Sequence, residues 1–174
     1  IGILLPLTVS NFVEEVSGLV PQTPANMGKR MIVYSETTDG DALMSSIVFN
    51  GWEGKAAIAE NTEYPYEGTN SLNVTMVDDA WNWWGVGLEL TENENLADYA
   101  GGYLSFMINT SYTGNLSVGF QSPGQDAVIK LTPGMYGYNN DSKWHRVVLP
   151  LDTLASTNPN VDMTQIFNPF VITA

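Results

Sequence analysis

Three of the chain's five tryptophans lie within four positions, in the stretch WNWW at residues 81–84. An indole ring offers a flat apolar face, so exposed rings suit stacking on a sugar and buried rings fill a core. The segment alternates in polarity as a strand does, which divides the rings between its two faces. Trp84 shares a face with apolar residues and is predicted to be buried. Trp83 shares the other face with two glycines and Glu89. Two alternatives therefore remain for Trp81 and Trp83: their rings form a platform for a glycan, or a loop buries them.

A second pair of aromatic residues lies in the glycine-rich loop PGMYGYNND. Tyr136 and Tyr138 share parity there and precede two asparagines and an aspartate. Hydroxyl and amide groups can hydrogen-bond to the hydroxyls of a sugar. These tyrosines are therefore predicted either to form the edge of a glycan site or to pack the loop. The remaining tryptophans divide similarly: Trp144 is predicted to plug the edge of a sheet, and nothing fixes the face of Trp52.

The acidic loop ETTDGDA could hold a hard cation. Glu36, Asp39 and Asp41 would supply the oxygen ligands that calcium prefers, although their spacing is not that of an EF-hand. The alternative is a solvated turn around the Asp-Gly pair. If a metal binds here, the sequence favours structural calcium.

If calcium binds in this loop, the melting temperature of the protein should depend on whether a chelator is present. A ligand that binds only the folded state stabilises it by mass action, so EDTA should lower the midpoint of thermal unfolding. Asp39→Ala should abolish that sensitivity. Identical melting curves with and without EDTA would exclude the site.

Residues for catalysis are sparse. The chain has one histidine, His145, which shares strand parity with apolar residues and is predicted to be half-buried and satisfied. No nucleophile elbow, zinc-protease helix, phosphate loop or dinucleotide fingerprint occurs. Nineteen acidic residues make close carboxylate pairs expected by chance. The sequence therefore argues against an autonomous enzyme.

Composition limits the partners of the chain. Its 174 residues carry a net charge of −13, which repels nucleic acid and anionic membranes but not neutral glycans. The absence of cysteine excludes disulfides and thiolate metal sites. No apolar run approaches the roughly 20 residues that cross a bilayer.

From Met31 onward the sequence consists of about ten short apolar runs separated by turn residues. Spacings of roughly 8–12 residues predict an all-β fold, a two-sheet sandwich or jelly roll. The runs YLSFMIN and LSVGFQS alternate in succession across a Thr-Gly-Asn turn, which predicts a hairpin. The stretch ENLADYAGG predicts a single helical turn.

Residues 1–30 read as an N-terminal arm or linker from a preceding domain, and residues 31–174 as the sandwich. Phe12, Val16 and Leu19 have helical spacing for two turns. The apolar side chains of the arm must pack either on the sandwich or on another domain. Gln22 lies on a stiff segment between two prolines, and we expect it either to contact substrate or to cap a linker turn.

The segments WWGVGLEL, LADYAGGYLSFMINT and KWHRVVLPLDTL resemble galactose-binding-like carbohydrate-binding β-sandwiches. More narrowly, the chain from Met31 to Ala174 is similar to the C-terminal module of bacterial family 3 glycoside hydrolases of the exo-1,3/1,4-β-glucanase type. The catalytic residues of those enzymes lie in domains that this chain lacks.

The resemblance implies a non-catalytic module of a secreted or periplasmic polysaccharide hydrolase that packs on its catalytic domain. Such a module would bind β-glucan through Trp81, Trp83, Tyr136 and Tyr138. The alternatives are a purely structural appendage without glycan affinity and, least favoured, a stand-alone carbohydrate-active enzyme. Exposed rings would favour binding, whereas a buried tryptophan cluster would favour the appendage.

Overall fold

A computed structural model describes residues 2–10, 30–34, 47–66, 68–77 and 83–174, and only the backbone of residues 2–10, Arg30 and Ile32. These ranges contain eleven strands and one short α-helix. The strands are β1 (Gly2–Ser10), β2 (Arg30–Tyr34), β3 (Ile47–Gly51), β4 (Ala56–Asn61), β5 (Ser71–Met76), β6 (Gly85–Leu90), β7 (Tyr103–Asn109), β8 (Leu116–Ser122), β9 (Gln125–Leu131), β10 (Trp144–Pro150) and β11 (Asn168–Thr173). The helix α1 spans Leu151–Ser156.

The strands form two antiparallel sheets. The first has the order β10-β7-β1-β5-β4, with β2 also paired to β1. The second has the order β3-β6-β11-β8-β9. The all-β sandwich predicted from the sequence is confirmed, and each of the ten predicted runs contains a strand.

Alternating residues of both sheets build one core. Leu104, Phe106 and Ile108 of β7 are buried, as the period of two predicts. Phe106 meets Phe170 of the opposite sheet edge-to-face, with ring centroids 5.1 Å apart. Burying such a side chain contributes about 1.5–3 kcal/mol, so these alternating rows hold the sheets together.

The N-terminal strand was not predicted. Residues 2–10 pair with β7 on one side and with β5 and β2 on the other, so they lie inside the first sheet. The expectation that no strand precedes Met31 is therefore wrong. The backbone of residues 2–10 therefore forms part of the sandwich. The helix predicted around Phe12 to Leu19 lies outside the described residues.

The predicted hairpin between YLSFMIN and LSVGFQS is also wrong. These runs are β7 and β8, which belong to different sheets, and the segment between them crosses the sandwich. Local alternation cannot distinguish a hairpin from such a crossing, because both faces alternate in either case. The hairpin is instead β8–β9. Its turn places Gly124 at φ 71°, a conformation that glycine adopts without steric cost.

Three short helical segments occur among the described residues, and the first is a 3₁₀ turn at Trp52–Gly54. A 3₁₀ turn at Leu96–Tyr99 confirms the predicted helical turn, and the Asn95 side chain caps it by accepting from the Ala97 N–H. Helix α1 follows β10 directly and buries Leu151 and Leu154. Among the described residues, no helix has the length and apolarity needed to span a membrane.

Candidate functional site

Strand β6 and the residues before it separate two neighbouring tryptophans, as parity predicted. Trp84 is 1% exposed and belongs to the core. Trp83 is 39% exposed. The alternative that a loop buries Trp83 is wrong.

The exposed indole of Trp83 packs against Trp52. The two ring centroids are 6.2 Å apart and the planes differ by 10°. Trp52 lies in the 3₁₀ turn Trp52–Gly54, where the chain passes from β3 in the second sheet to β4 in the first. Its ring occupies the space that a side chain at residue 85 would fill, so Gly85 is required for this close approach. The structure thus assembles two nearly parallel rings at one corner of the second sheet.

Polar groups continue along the same face of the sheet. Asn50 donates its side-chain amide to the Glu89 carboxylate at 2.9 Å. Glu89 lies four residues beyond Gly85 on β6, a distance of about 13 Å along a strand. We call this surface, made by Trp52, Trp83, Asn50 and Glu89, the Trp52–Trp83 face.

A buried amide lies beside this face. The side chain of Asn168 fills the space over Gly87 and is fully buried. Its amide donates to Gln121 Oε1 at 3.1 Å, and Gln121 in turn donates to Asp126 at 2.8 Å. No hydrogen bond from another described residue reaches the Asn168 Oδ1. This chain of amides holds the polar part of the second sheet in one arrangement.

The predicted tyrosine site does not form as expected. Tyr138 is 2% exposed and belongs to the core, and burial raises the pKa of its hydroxyl. Because neither ring face is accessible, Tyr138 cannot stack on a sugar, and this assignment is wrong. Tyr136 is half-buried against the core at φ 51°, so its role stays a prediction.

Several predicted site residues lie outside the described residues, namely Trp81, Gln22, Glu36, Asp39 and Asp41. Within the described ranges, no three His, Cys, Asp or Glu side chains converge on a metal-sized site.

The sequence missed the two residues that complete the face. Trp52 stands in a turn without period-two neighbours, and only the register of β3 against β6 brings it to Trp83. Asn50 is opposite Gly87 in that register, and a pattern within one strand cannot predict such a pairing between strands. The glycines at 85 and 87 were the available signal, because they mark where other groups approach the strand.

The single histidine is part of a structural pair. His145 Nε2 lies 2.7 Å from Asp141 Oδ1, and a quarter of its side-chain surface is exposed. The half-buried, satisfied histidine predicted from the sequence is confirmed. The hydrogen bond from His145 is the largest of the effects that lower the pKa of Asp141 below its ordinary 3.8.

This pair predicts acid-dependent stability. A carboxyl group whose pKa is lower in the folded than in the unfolded state stabilises the protein at pH values above the unfolded-state pKa. That stabilisation is lost as the pH falls through the folded-state pKa. Wild type should therefore be more stable than Asp141→Asn at about pH 5, and the difference should shrink steadily below about pH 4. Urea titrations across that range would measure it. A difference that stays constant down to about pH 2 would contradict the pairing.

The fold and the paired rings define a β-sandwich binding module. The family model for carbohydrate binding domain 30 matches residues 31–171. The chain belongs to this family of carbohydrate-binding modules, and it is non-catalytic.

Structural comparison supports the fold. The fold is similar to the crystal structure of a family 30 carbohydrate-binding module, with a TM-score of 0.56 and 20% sequence identity. The similarity covers 75% of this chain and 86% of that one. No curated protein matches the chain.

Proposed function

We propose that this module binds neutral polysaccharide through the Trp52–Trp83 face. The observation that carries the proposal is the pair of nearly parallel indoles, one of them 39% exposed, beside the hydrogen-bonded Asn50 and Glu89. Aromatic faces attract the apolar faces of sugar rings, and amide and carboxylate groups bind their hydroxyls.

Charge supports a neutral ligand. The net charge of −13 disfavours acidic polysaccharides, and Glu89 adds a local negative charge to the face itself. A carboxylate accepts hydrogen bonds from sugar hydroxyls without requiring a charged partner. The proposed ligand is therefore an uncharged polysaccharide.

Removing the exposed ring should weaken glucan binding. One aromatic contact contributes about 1 kcal/mol, so Trp83→Ala should raise the dissociation constant about five-fold. Isothermal titration with a soluble mixed-linkage glucan would measure the change. Wild-type affinity should lie in the high micromolar to millimolar range, because two rings carry most of the contact.

The matched control is Met135→Ala, which removes an apolar side chain of nearly equal exposure, 40%, away from the face. Its affinity should equal that of wild type. Equal binding by wild type, Trp83→Ala and Met135→Ala would exclude the Trp52–Trp83 face as the site.

The wider context follows from the sequence resemblance. We propose that the glycan is a β-glucan and that the module accompanies a catalytic domain of a secreted or periplasmic exo-β-glucanase. Structural calcium in the loop of Glu36, Asp39 and Asp41 stays a proposal of the same kind. What supports this context is the likeness of the segments from WWGVGLEL to KWHRVVLPLDTL to modules of such enzymes.

The arm provides a test of that context. If Gln22 contacts substrate, Gln22→Ala in the full-length enzyme should lower kcat/KM on oligosaccharides and leave the midpoint of unfolding unchanged. Unaltered kinetics would remove Gln22 from the site and favour a packing role for the arm.

A further inference from the structure

A pocket lies on the first sheet, away from the Trp52–Trp83 face. A pocket of about 420 Å³ opens at one end of the first sheet, a volume within the range of ligand sites. Two aromatic side chains, Tyr64 and Trp144, line it together with eight polar ones. The polar residues are Asn61, Glu63, Ser71, Asn73, Asn109, Thr110, Ser111 and Ser142. We call this the Trp144 pocket.

Strand register explains how residues far apart in sequence meet there. Ala59, Asn73, Gly2, Asn109 and Trp144 are successive partners across β4, β5, β1, β7 and β10. Side chains at directly paired positions point to the same side of a sheet. Because Gly2 has no side chain, the amides of Asn73 and Asn109 border an open centre, with Trp144 at one end of the row.

This row faces away from the core. Ile108 and Val147 are buried between the sheets. Asn109 and Trp144 have the opposite parity on the same two strands and pair with each other, so both point outward. The Trp52–Trp83 face is the outer side of the other sheet. The two surfaces are therefore on opposite sides of the sandwich, separated by the core.

The Trp144 ring that lines the pocket is held in place by a second aromatic side chain. Tyr66 meets Trp144 edge-to-face, with ring centroids 5.8 Å apart and planes inclined at 63°. The prediction that Trp144 only plugs a sheet edge is incomplete, because its ring lies on edge strand β10 but also lines the pocket.

Hydrogen-bonding groups remain available at the pocket. Within the described part of the chain, the side chains of Asn109, Ser111 and Ser142 form no hydrogen bond. Ser142 is held at φ 62°, and its N–H donates to Thr110 O at 3.0 Å. A non-glycine residue fixed in that strained conformation is common at ligand sites.

The chemistry of the lining selects the ligand. The residues that line the pocket offer amides, hydroxyls and the rings of Tyr64 and Trp144. Its one charged lining residue is Glu63, whose hydrogen bond and negative charge raise the pKa of Tyr64. A polyhydroxylated, uncharged ligand satisfies the amides and hydroxyls without opposing that carboxylate.

We infer that the Trp144 pocket is a second carbohydrate site, which binds a short stretch of neutral sugar independently of the Trp52–Trp83 face. The inference rests on the carbohydrate-binding function of the module but not on which residues of the second sheet carry it. Because the sites face opposite ways, one molecule can hold two glycan chains.

Titration of the ¹⁵N-labelled 174-residue chain with cellotetraose, and separately with laminaritetraose, tests the pocket. At least one of these probes should shift two groups of backbone amides with separate affinities, one around Gly85 and Glu89 and one around Asn109 and Ser142. Asn109→Ala should weaken the pocket affinity about five-fold and leave the other group unchanged. Trp83→Ala should have the reverse effect.

Trp144→Ala is the second variant, and its melting temperature reports whether it folds. Loss of the pocket shifts in a folded variant supports the site. If neither probe shifts amides around Asn109 and Ser142, the pocket site is overturned, whatever happens at Gly85. Shifts at the pocket alone, insensitive to Trp83→Ala, would instead overturn the Trp52–Trp83 proposal and leave the pocket standing.

Discussion

Trp84→Ala should lower the free energy of unfolding by about 3–5 kcal/mol, the range for removing a large aromatic side chain from a core. Trp84 is 1% exposed and meets Tyr112 edge-to-face at 5.8 Å, so little of the resulting cavity can close. For a chain of this length the melting temperature should fall by roughly 10 °C. Urea titration and calorimetry would measure both values.

The neighbouring residue provides the control. Trp83→Ala removes the same side chain one position earlier, on the exposed face, and should lower the unfolding free energy by no more than about 1.5 kcal/mol, the upper value for an aromatic pair. Equal losses in the two variants would contradict the division of the rings between the two faces.

Trp84 also carries a buried indole N–H without a hydrogen-bond partner among the described residues. An unpaired buried donor costs about 1–3 kcal/mol, which Trp84→Phe would relieve while keeping an aromatic ring in place. We expect this variant to be much closer to wild type than Trp84→Ala. Similar losses of unfolding free energy in the two variants would show that the shape of the indole alone determines its contribution and that the unpaired N–H has no effect.

Gly119→Val should strongly destabilise the second sheet. A Cβ at this position in β8 would collide with the backbone carbonyl of Ala127 in β9, and a carbonyl in a strand cannot move aside as a side-chain tip can. Overpacking against mobile groups costs about 1–3 kcal/mol, so we expect at least about 3 kcal/mol here. Denaturant titration would measure the loss.

The matched control for this glycine is Ser117→Ala, two residues earlier on the same face of β8. Its unfolding free energy should stay within about 0.5 kcal/mol of wild type, as for most partly exposed substitutions. A folded Gly119→Val protein of wild-type stability would show that β8 and β9 can separate without penalty.

Local alternation predicted the strands well because burial on one face imposes a period of two. It separated Trp83 from Trp84 and placed Phe106 in the core. Pairing was harder to predict, because a hairpin and a crossing between sheets contain the same alternating runs. The β7–β8 hairpin failed for this reason. Strand β1 escaped recognition because a strand within a sheet reads as a continuous apolar run, which a packed arm also shows.

The candidate sites show the same limit. Trp83 could be predicted from parity, whereas Trp52 joins it through strand register and the turn after β3. Tyr138 shares its loop with polar residues, yet its ring turns into the core, because a loop sequence has no fixed period. In the Trp144 pocket, Asn73 and Asn109 lie on either side of Gly2, an arrangement that depends on the position of β1.

The position of β1 also affects how the protein folds. Residues 2–10 pair with residues 103–109, and in both sheets most neighbouring strands are distant in sequence, with β8–β9 and β4–β5 among the few local pairs. Chains dominated by such non-local pairings fold in milliseconds to seconds, because long loops must close before their contacts form. The pairing of β1 with β5 and β7 under the Trp144 pocket forms only when the long segment between residues 10 and 103 has closed into a loop. In a stopped-flow refolding experiment, sugar binding at the pocket should therefore recover with the slow formation of the whole first sheet, after the β8–β9 hairpin.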